Sequence, residues 1–283
     1  VEVFGMLIGM LTANYGGPDL ETVIKFASEN GFDCLEVAAG PGSKHIDPAT
    51  LTESRAEEIK RKLQEAGLKI SSLASYINVT DADPAKREAN INHIRKCIDA
   101  AVLLGVDVVC TMAGMPMPGK SRMQTIEEEC TKVFPPLLEY AASKGVKIAL
   151  ENWTATNIMH LGHWERLFEL IPNENFGLNF DPSHLVWQGI DYLAAVDRFA
   201  KRIFHTHAKD TEINYHRLRW FGNQEGGWWR YVIPGLGVIK WGEYIGALRR
   251  NGYNGVLSIE HEDSTRSPEE GFILGKNYLK MFA

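Results

Sequence analysis

Short apolar runs alternate with longer amphipathic stretches along the whole chain. The apolar runs predict strands over Phe4–Met10, Cys34–Ala38, Lys69–Ser75, Val106–Met112, Lys147–Glu151, Phe176–Asp181, Ile203–His207 and Val256–Glu260. The stretches between them predict helices near Leu20–Asn30, Pro48–Ala66, Pro84–Leu104, Met123–Lys144, Trp164–Leu170, Tyr192–Phe199, Trp241–Asn251 and Pro268–Phe282. A glycine closes the junction from helix to strand at Gly31, Gly67, Gly105, Gly145 and Gly252, where a short loop needs a left-handed C-cap. Asp47-Pro48 and Asp83-Pro84 each place an N-cap acid before an N1 proline, and Pro135-Pro136 should kink or divide the fourth helix.

Strict strand-then-helix alternation implies a parallel sheet with right-handed crossovers. Eight such units close a barrel, so the expected fold is α/β, a single (β/α)8 TIM barrel spanning 1–283. The alternative, a doubly wound open sheet, would carry a glycine-rich phosphate loop after strand one. Thr12-Ala13-Asn14-Tyr15-Gly16-Gly17 lacks that pattern. One connection is far longer than the rest. More than thirty residues separate His207 from Trp241, among them Tyr215, Trp220, Phe221, Trp228, Trp229 and Tyr231. This aromatic insertion after strand seven (211–236) must sit on the catalytic face, as a substrate lid or a subunit contact. Its Trp220 could stack on a flat substrate face, and Arg217, Arg219 or Arg230 could bind an anionic group.

Composition narrows the functional classes. The net charge of -6 and the absence of any Lys/Arg run argue against a nucleic-acid partner. No segment reaches the length of a membrane span. Cys34, Cys97, Cys110 and Cys130 show no CxxC pairing and read as buried, reduced core residues of a cytoplasmic protein. The opening Val3–Leu11 run reads as strand one rather than a signal peptide, although a start at Val1 leaves a removed leader open.

Four strands end on a metal-capable residue: Glu151, Asp181, His207 and Glu260. In a barrel these ends meet at one point. Three carboxylates and one imidazole form a hard, oxygen-rich donor set for one divalent ion, Mn2+ first, with Mg2+, Co2+ or Zn2+ as alternatives. Asn152, His184, Lys209 and Asp210 cluster on the same ends. His205 shares the strand parity of His207 and should lie one layer deeper, and Glu36 ends strand two either facing the site or in an ion pair.

The segments Glu151-Asn152, Asp181-Pro182-Ser183-His184, His207-Ala208-Lys209-Asp210 and Pro234-Gly235-Leu236-Gly237 resemble the xylose isomerase-like barrel superfamily over nearly the whole chain. The likeness is strongest to the branch of ketose 3-epimerases and the inositol-catabolism isomerase and dehydratase. It implies that Glu151, Asp181, His207 and Glu260 bind one divalent metal, and that His184 contacts substrate. It also implies a homo-oligomer, dimer or tetramer, acting on a small sugar or keto-polyol. The chain departs from the ketose 3-epimerases at Ile213, where an arginine is expected; the nearest are Arg217 and Arg219. The implied chemistry is a metal-dependent isomerase or epimerase in which Glu151 and Glu260 serve as base and acid around an enediolate, with His184 assisting. Lys209, Asp210, Trp220 and Arg217 join His184 as candidate substrate contacts. The alternative is a lyase or dehydratase acting on a keto-inositol or 3-keto-glycoside.

Overall fold

In a computed structural model, which describes residues 5–283, eight parallel strands close on one another. They are β1 (Leu7–Leu11), β2 (Cys34–Ala38), β3 (Lys69–Ala74), β4 (Val108–Met112), β5 (Lys147–Glu151), β6 (Phe176–Phe180), β7 (Ile203–Ala208) and β10 (Val256–Ile259). Each strand pairs with its sequence neighbours, and β1 pairs with β10 to complete the ring. The expected (β/α)8 barrel is therefore the fold. Strand one begins later than expected, and Val1, Val3 and Phe4 lie outside the described residues.

The junction glycines behave as their spacing predicts. Gly31, Gly67, Gly105, Gly145 and Gly252 all have φ between 67° and 83°, the left-handed region that ends a helix abruptly. Asp83 caps the helix Pro84–Leu104 through Ala85 and Lys86. Asp47-Pro48 does not start a helix. The Asp47 side chain accepts from Ala49 N in an isolated turn, and the helix begins at Glu53, capped by Thr52. The fourth helix is interrupted, but ahead of its prolines: a π-helical turn, Ile126–Cys130, precedes the segment Thr131–Ser143 that contains Pro135 and Pro136. The wider turn shifts the backbone register, and the Thr131 hydroxyl takes up the Glu127 carbonyl.

The long insertion is an ordered arm. Strands β8 (Asp210–Ile213) and β9 (Trp229–Val232) pair antiparallel, with the short helix Tyr215–Phe221 at the tip. All four cysteines are buried and free. Among the described residues no helix is long and apolar enough to cross a membrane.

The core fills the space between barrel and helices, with Trp164, Phe180, Phe199 and Tyr244 in edge and stacked contacts. Two register shifts adjust the barrel near its upper end, one between Leu35 and Glu36 and one between Leu178 and Asn179. Both adjoin residues that surround the candidate site, where such irregularities re-aim side chains. Gly177 marks a close approach within β6: a Cβ there would collide with the Arg202 carbonyl oxygen and the Phe204 ring. Gly177→Ala is therefore expected to destabilise the barrel by about 2 kcal/mol, the usual scale of overpacking. In urea unfolding this would appear as a lower midpoint at an unchanged m-value.

Candidate metal centre

Glu151 is the last residue of β5, and His207 lies near the end of β7. Asp181 and Glu260 follow directly on β6 and β10. All four are buried, and one ligand-capable atom from each lies within 4.8 Å of all the others. The convergence follows from the parallel ladder, which brings the four strand ends to one rim.

The surrounding hydrogen bonds aim these groups. Asn152 and Asp181 exchange two bonds: the Asn152 amide donates to the Asp181 carbonyl, and Asp181 N donates to Asn152 Oδ1, each 2.8 Å. Ser183 N donates to Asp181 Oδ1 at 2.8 Å, which leaves Oδ2 turned toward the cluster. His207 Nε2 lies 3.1 Å from Glu36 Oε2. Glu36 also accepts from the Tyr76 hydroxyl and the Ser258 hydroxyl, each 2.7 Å. With Nε2–H donating to the Glu36 carboxylate, Nδ1 faces Glu260, Glu151 and Asp181 at 3.0, 3.5 and 3.9 Å. A carboxylate behind a ligating imidazole is the usual device for fixing that tautomer.

Two buried atoms in this cluster, His207 Nδ1 and Asp181 Oδ2, make no hydrogen bond. Buried polar atoms are rarely left so, and two on one centre indicate a missing common partner. The donor set fits a divalent cation. His205 lies a layer deeper, its ring between Asn179 Oδ1 and the hydroxyls of Ser71 and Ser72. Burial and the neighbouring His207 push it down to about 4, against the pull of Glu36.

Lys209 is buried and supplies the cluster's fixed positive charge. Its Nζ lies 2.6 Å from Glu260 Oε2, 3.1 Å from Glu262 Oε2 and 3.3 Å from Asp181 Oδ2. Burial alone would raise the carboxyls of Glu151 and Glu260. The histidines and Lys209 outweigh it and hold both below the usual carboxylate range. Both glutamates line a cavity of about 180 Å³ together with Tyr76, Trp153, His184, Lys209 and Glu262. Larger hollows, about 690 and 510 Å³, open at the opposite end of the strands and contain no such cluster.

The structure gathers His184 and Lys209 at this cavity with the four candidate ligands. Asp210 lies elsewhere. Its carboxylate accepts from Thr211 N, Ile239 N, Gly235 N and the Trp241 indole, so it anchors the loop through Gly235 and Gly237 and has no oxygen directed at the cavity. Trp220 is 75% exposed at the arm's tip, and Arg217 donates to the Gly226 carbonyl. Neither lines the cavity: the arm's tip folds on itself, and the arm meets the site through Tyr231 near its base. The residues that sequence reasoning passed over are Tyr76, Trp153, Asn179, Tyr231 and Glu262. Asn179 shares strand parity with Asp181, and Tyr76 and Trp153 lie just past strand ends, so a signal existed for these three. Tyr231 reaches the site from the arm, and no local pattern announced it.

The family described as "Xylose isomerase-like TIM barrel" matches residues 24–281. The uncharacterized protein YfiH of Bacillus subtilis is 28% identical, covering 97% of this chain and 98% of its own. An inosose isomerase of Halalkalibacterium halodurans is 23% identical over 84% of this chain and 80% of its own. An inosose dehydratase of Clostridium perfringens is 27% identical over 89% and 90%. Among solved structures, the IOLI protein with a bound zinc atom superposes with a TM-score of 0.78 at 20% identity, covering 98% of this chain and 99% of that one.

A divalent ion held here should stabilise the fold. At a hundredfold excess over its Kd it would contribute about 2.7 kcal/mol, or about 5 °C in a barrel of this size. Differential scanning fluorimetry with Mn2+, Co2+ or Zn2+ should show that rise in the wild type and lose it in His207→Ala and Asp181→Ala. Asp210→Ala should behave differently. It should lower the metal-free melting temperature, since it leaves several buried donors unpaired, while elemental analysis still finds one ion per chain.

Proposed function

Since the chain belongs to the xylose isomerase-like TIM-barrel family, we propose that it is a divalent-metal-dependent isomerase or epimerase of a small sugar or keto-polyol. The observation that carries this reading is the buried four-ligand cluster of Glu151, Asp181, His207 and Glu260, with both of its glutamates also lining a cavity of about 180 Å³. Glu151, Asp181, His207 and Glu260 would hold the ion. Carboxylate-rich donors favour Mn2+, and Zn2+, named in one structural relative, is the alternative. When bound, the ion would supply Lewis acidity beside a substrate carbonyl and its neighbouring hydroxyl.

The chain's own groups divide the remaining work. Glu151 and Glu260 are kept ionised by their cationic neighbours, so each can accept a proton from a carbon next to a carbonyl. One glutamate removing the proton and the other returning it would invert or relocate a stereocentre. His184 and Lys209 face the same space and donate to substrate oxygens. Tyr76 and Trp153 supply apolar wall. At about 180 Å³ the cavity is smaller than the roughly 300–1,000 Å³ of drug-sized sites, which favours a single ring or open-chain polyol.

Dehydration is the second reading, favoured by the inosose dehydratase relative. It begins with the same proton removal and differs in losing a β-hydroxyl. The proton on that leaving oxygen would come from His184 or Lys209.

The test is proton NMR in D2O of the Mn2+-loaded enzyme with ketoses, keto-inositols and 3-keto-glycosides. Deuterium entering the carbon beside the carbonyl, with the skeleton intact, is the expected result; an enone or a released aglycone would move the protein to the lyase class. Glu151→Gln and Glu260→Gln should each lower turnover by at least about 100-fold, the usual weight of a general acid or base. Full activity in the doubly substituted enzyme would overturn the assignment.

A further inference from the structure

The arm between β8 and β9 reaches the site through one side chain. The Tyr231 hydroxyl lies 2.6 Å from His184 Nδ1, and the two rings meet edge to face at 5.2 Å. Tyr231 itself is held by its strand and its neighbours. Its ring packs against Trp229, at 5.0 Å between centroids, and against the Lys209 ammonium, at 4.5 Å. Trp229 stacks on Trp187 at 4.4 Å, and Arg230 ties the arm to Asp263 on the loop after β10 at 2.8 Å.

The other nitrogen of His184 faces the cavity. Nε2 has Glu151 Oε1 at 3.1 Å, Lys209 Nζ at 3.4 Å and Asp181 Oδ2 at 3.5 Å. Lys209 Nζ donates to Glu260 Oε2 at 2.6 Å, with Glu262 and Asp181 at 3.1 and 3.3 Å. Nε2 also lies 3.4 Å from the Lys209 ammonium, but its nearest neighbour, the Glu151 carboxylate, can only accept. A neutral imidazole has one N–H, and this environment places it on Nε2. Nδ1 is left as an acceptor, and the phenol is its donor.

We propose that Tyr231 is a positioning residue, whose hydroxyl donates to His184 Nδ1 and so holds the ring with its N–H on Nε2, directed into the cavity. A substrate oxygen then always meets a donor at this position. The proposal rests on the reading of this cavity as a sugar-transforming site, and it gives the arm a specific part in that site. The arm thereby braces, from outside the barrel, one of the residues that line the cavity.

Long-range proton–nitrogen NMR of the full-length, uniformly 15N-labelled protein reads the tautomer without any substrate. The His184 signals are assigned by their loss in His184→Gln. The expected wild-type pattern is one protonated nitrogen, Nε2, and a hydrogen-bonded, unprotonated Nδ1. In Tyr231→Phe, which retains the ring contacts, the Nδ1 resonance should move to the position of an imidazole nitrogen without a donor. A wild-type pattern with a proton on Nδ1, alone or on both nitrogens, overturns the proposal, and so does a His184 spectrum unchanged in the variant. The wild-type spectrum decides the direction of the bond even if the variant fails to fold. With a compound that turns over, Tyr231→Phe should lower kcat by about 10- to 100-fold, comparable to the loss of a partner that orients a working imidazole. KM should stay within about twofold, and metal stoichiometry should be unchanged. An unchanged kcat overturns the role in catalysis. If the spectra come out as expected and no compound turns over, the placement of Tyr231 stands and the functional reading fails.

Discussion

Three carboxylates share one buried spot at the rim of the barrel, and much of the upper half of the molecule is arranged to tolerate them. With ligand atoms within 4.8 Å of one another, each pair of ionised groups would repel by roughly 3 kcal/mol at an effective dielectric of about 20. Three such pairs approach 10 kcal/mol, which is comparable to the whole net stability of a domain, about 5–15 kcal/mol. Positive charge is therefore obligatory here. The protein supplies a buried lysine and an imidazole, and the unbonded Asp181 Oδ2 and His207 Nδ1 mark where a divalent ion would add the rest.

The same constraint explains why the second layer is so fully hydrogen-bonded. Glu36 is a fourth buried acid. His207, Tyr76 and Ser258 satisfy it, and those charges and donors bring its carboxyl down to about 2 although burial alone would raise it. Its contribution is direction: a carboxylate at Nε2 turns the other nitrogen of His207 toward the ligand cluster. Asn152 does the equivalent for Asp181 by joining the ends of two neighbouring strands. Neither device works without a rigid barrel beneath it, which is why the site sits on strand ends rather than on loops.

The sequence made this arrangement readable to an uneven degree. The glycines at 31, 67, 105, 145 and 252 and the eight apolar runs carry a local signal, since left-handed caps and buried strands are set by nearest neighbours. The four candidate ligands were readable because each follows an apolar run and parallel strands bring such ends together. Asp210 misled for the same reason. It occupies a strand end but is consumed by its neighbour Thr211 N and by three donors more than twenty residues on, a fact of tertiary structure that spacing cannot express. The double proline misled in the opposite way: the helical segment Thr131–Ser143 runs through both prolines, and the interruption is a π turn upstream of them. Tyr231 was counted among the insertion's aromatics, but only the pairing of β8 with β9 places it beside His184.

The ligand cluster does not determine which reaction this barrel performs. Relatives that share the family include an isomerase and a dehydratase. Both reactions begin by removing a proton next to a carbonyl, and they part at the next proton: it returns to carbon in one and goes to a departing oxygen in the other. On the proposed reading, Glu151 and Glu260 suit the first step in either case. The second step depends on which groups around the cavity present a proton, and to which side. On that reading those groups are His184 and Lys209, and both are oriented in part by residues outside the ligand set. Glu262 and Glu260 hold the ammonium, and the arm's Tyr231 holds the imidazole. On the proposed reading, what decides the outcome in this chain is therefore best sought in the rim and the arm rather than in the candidate ion ligands.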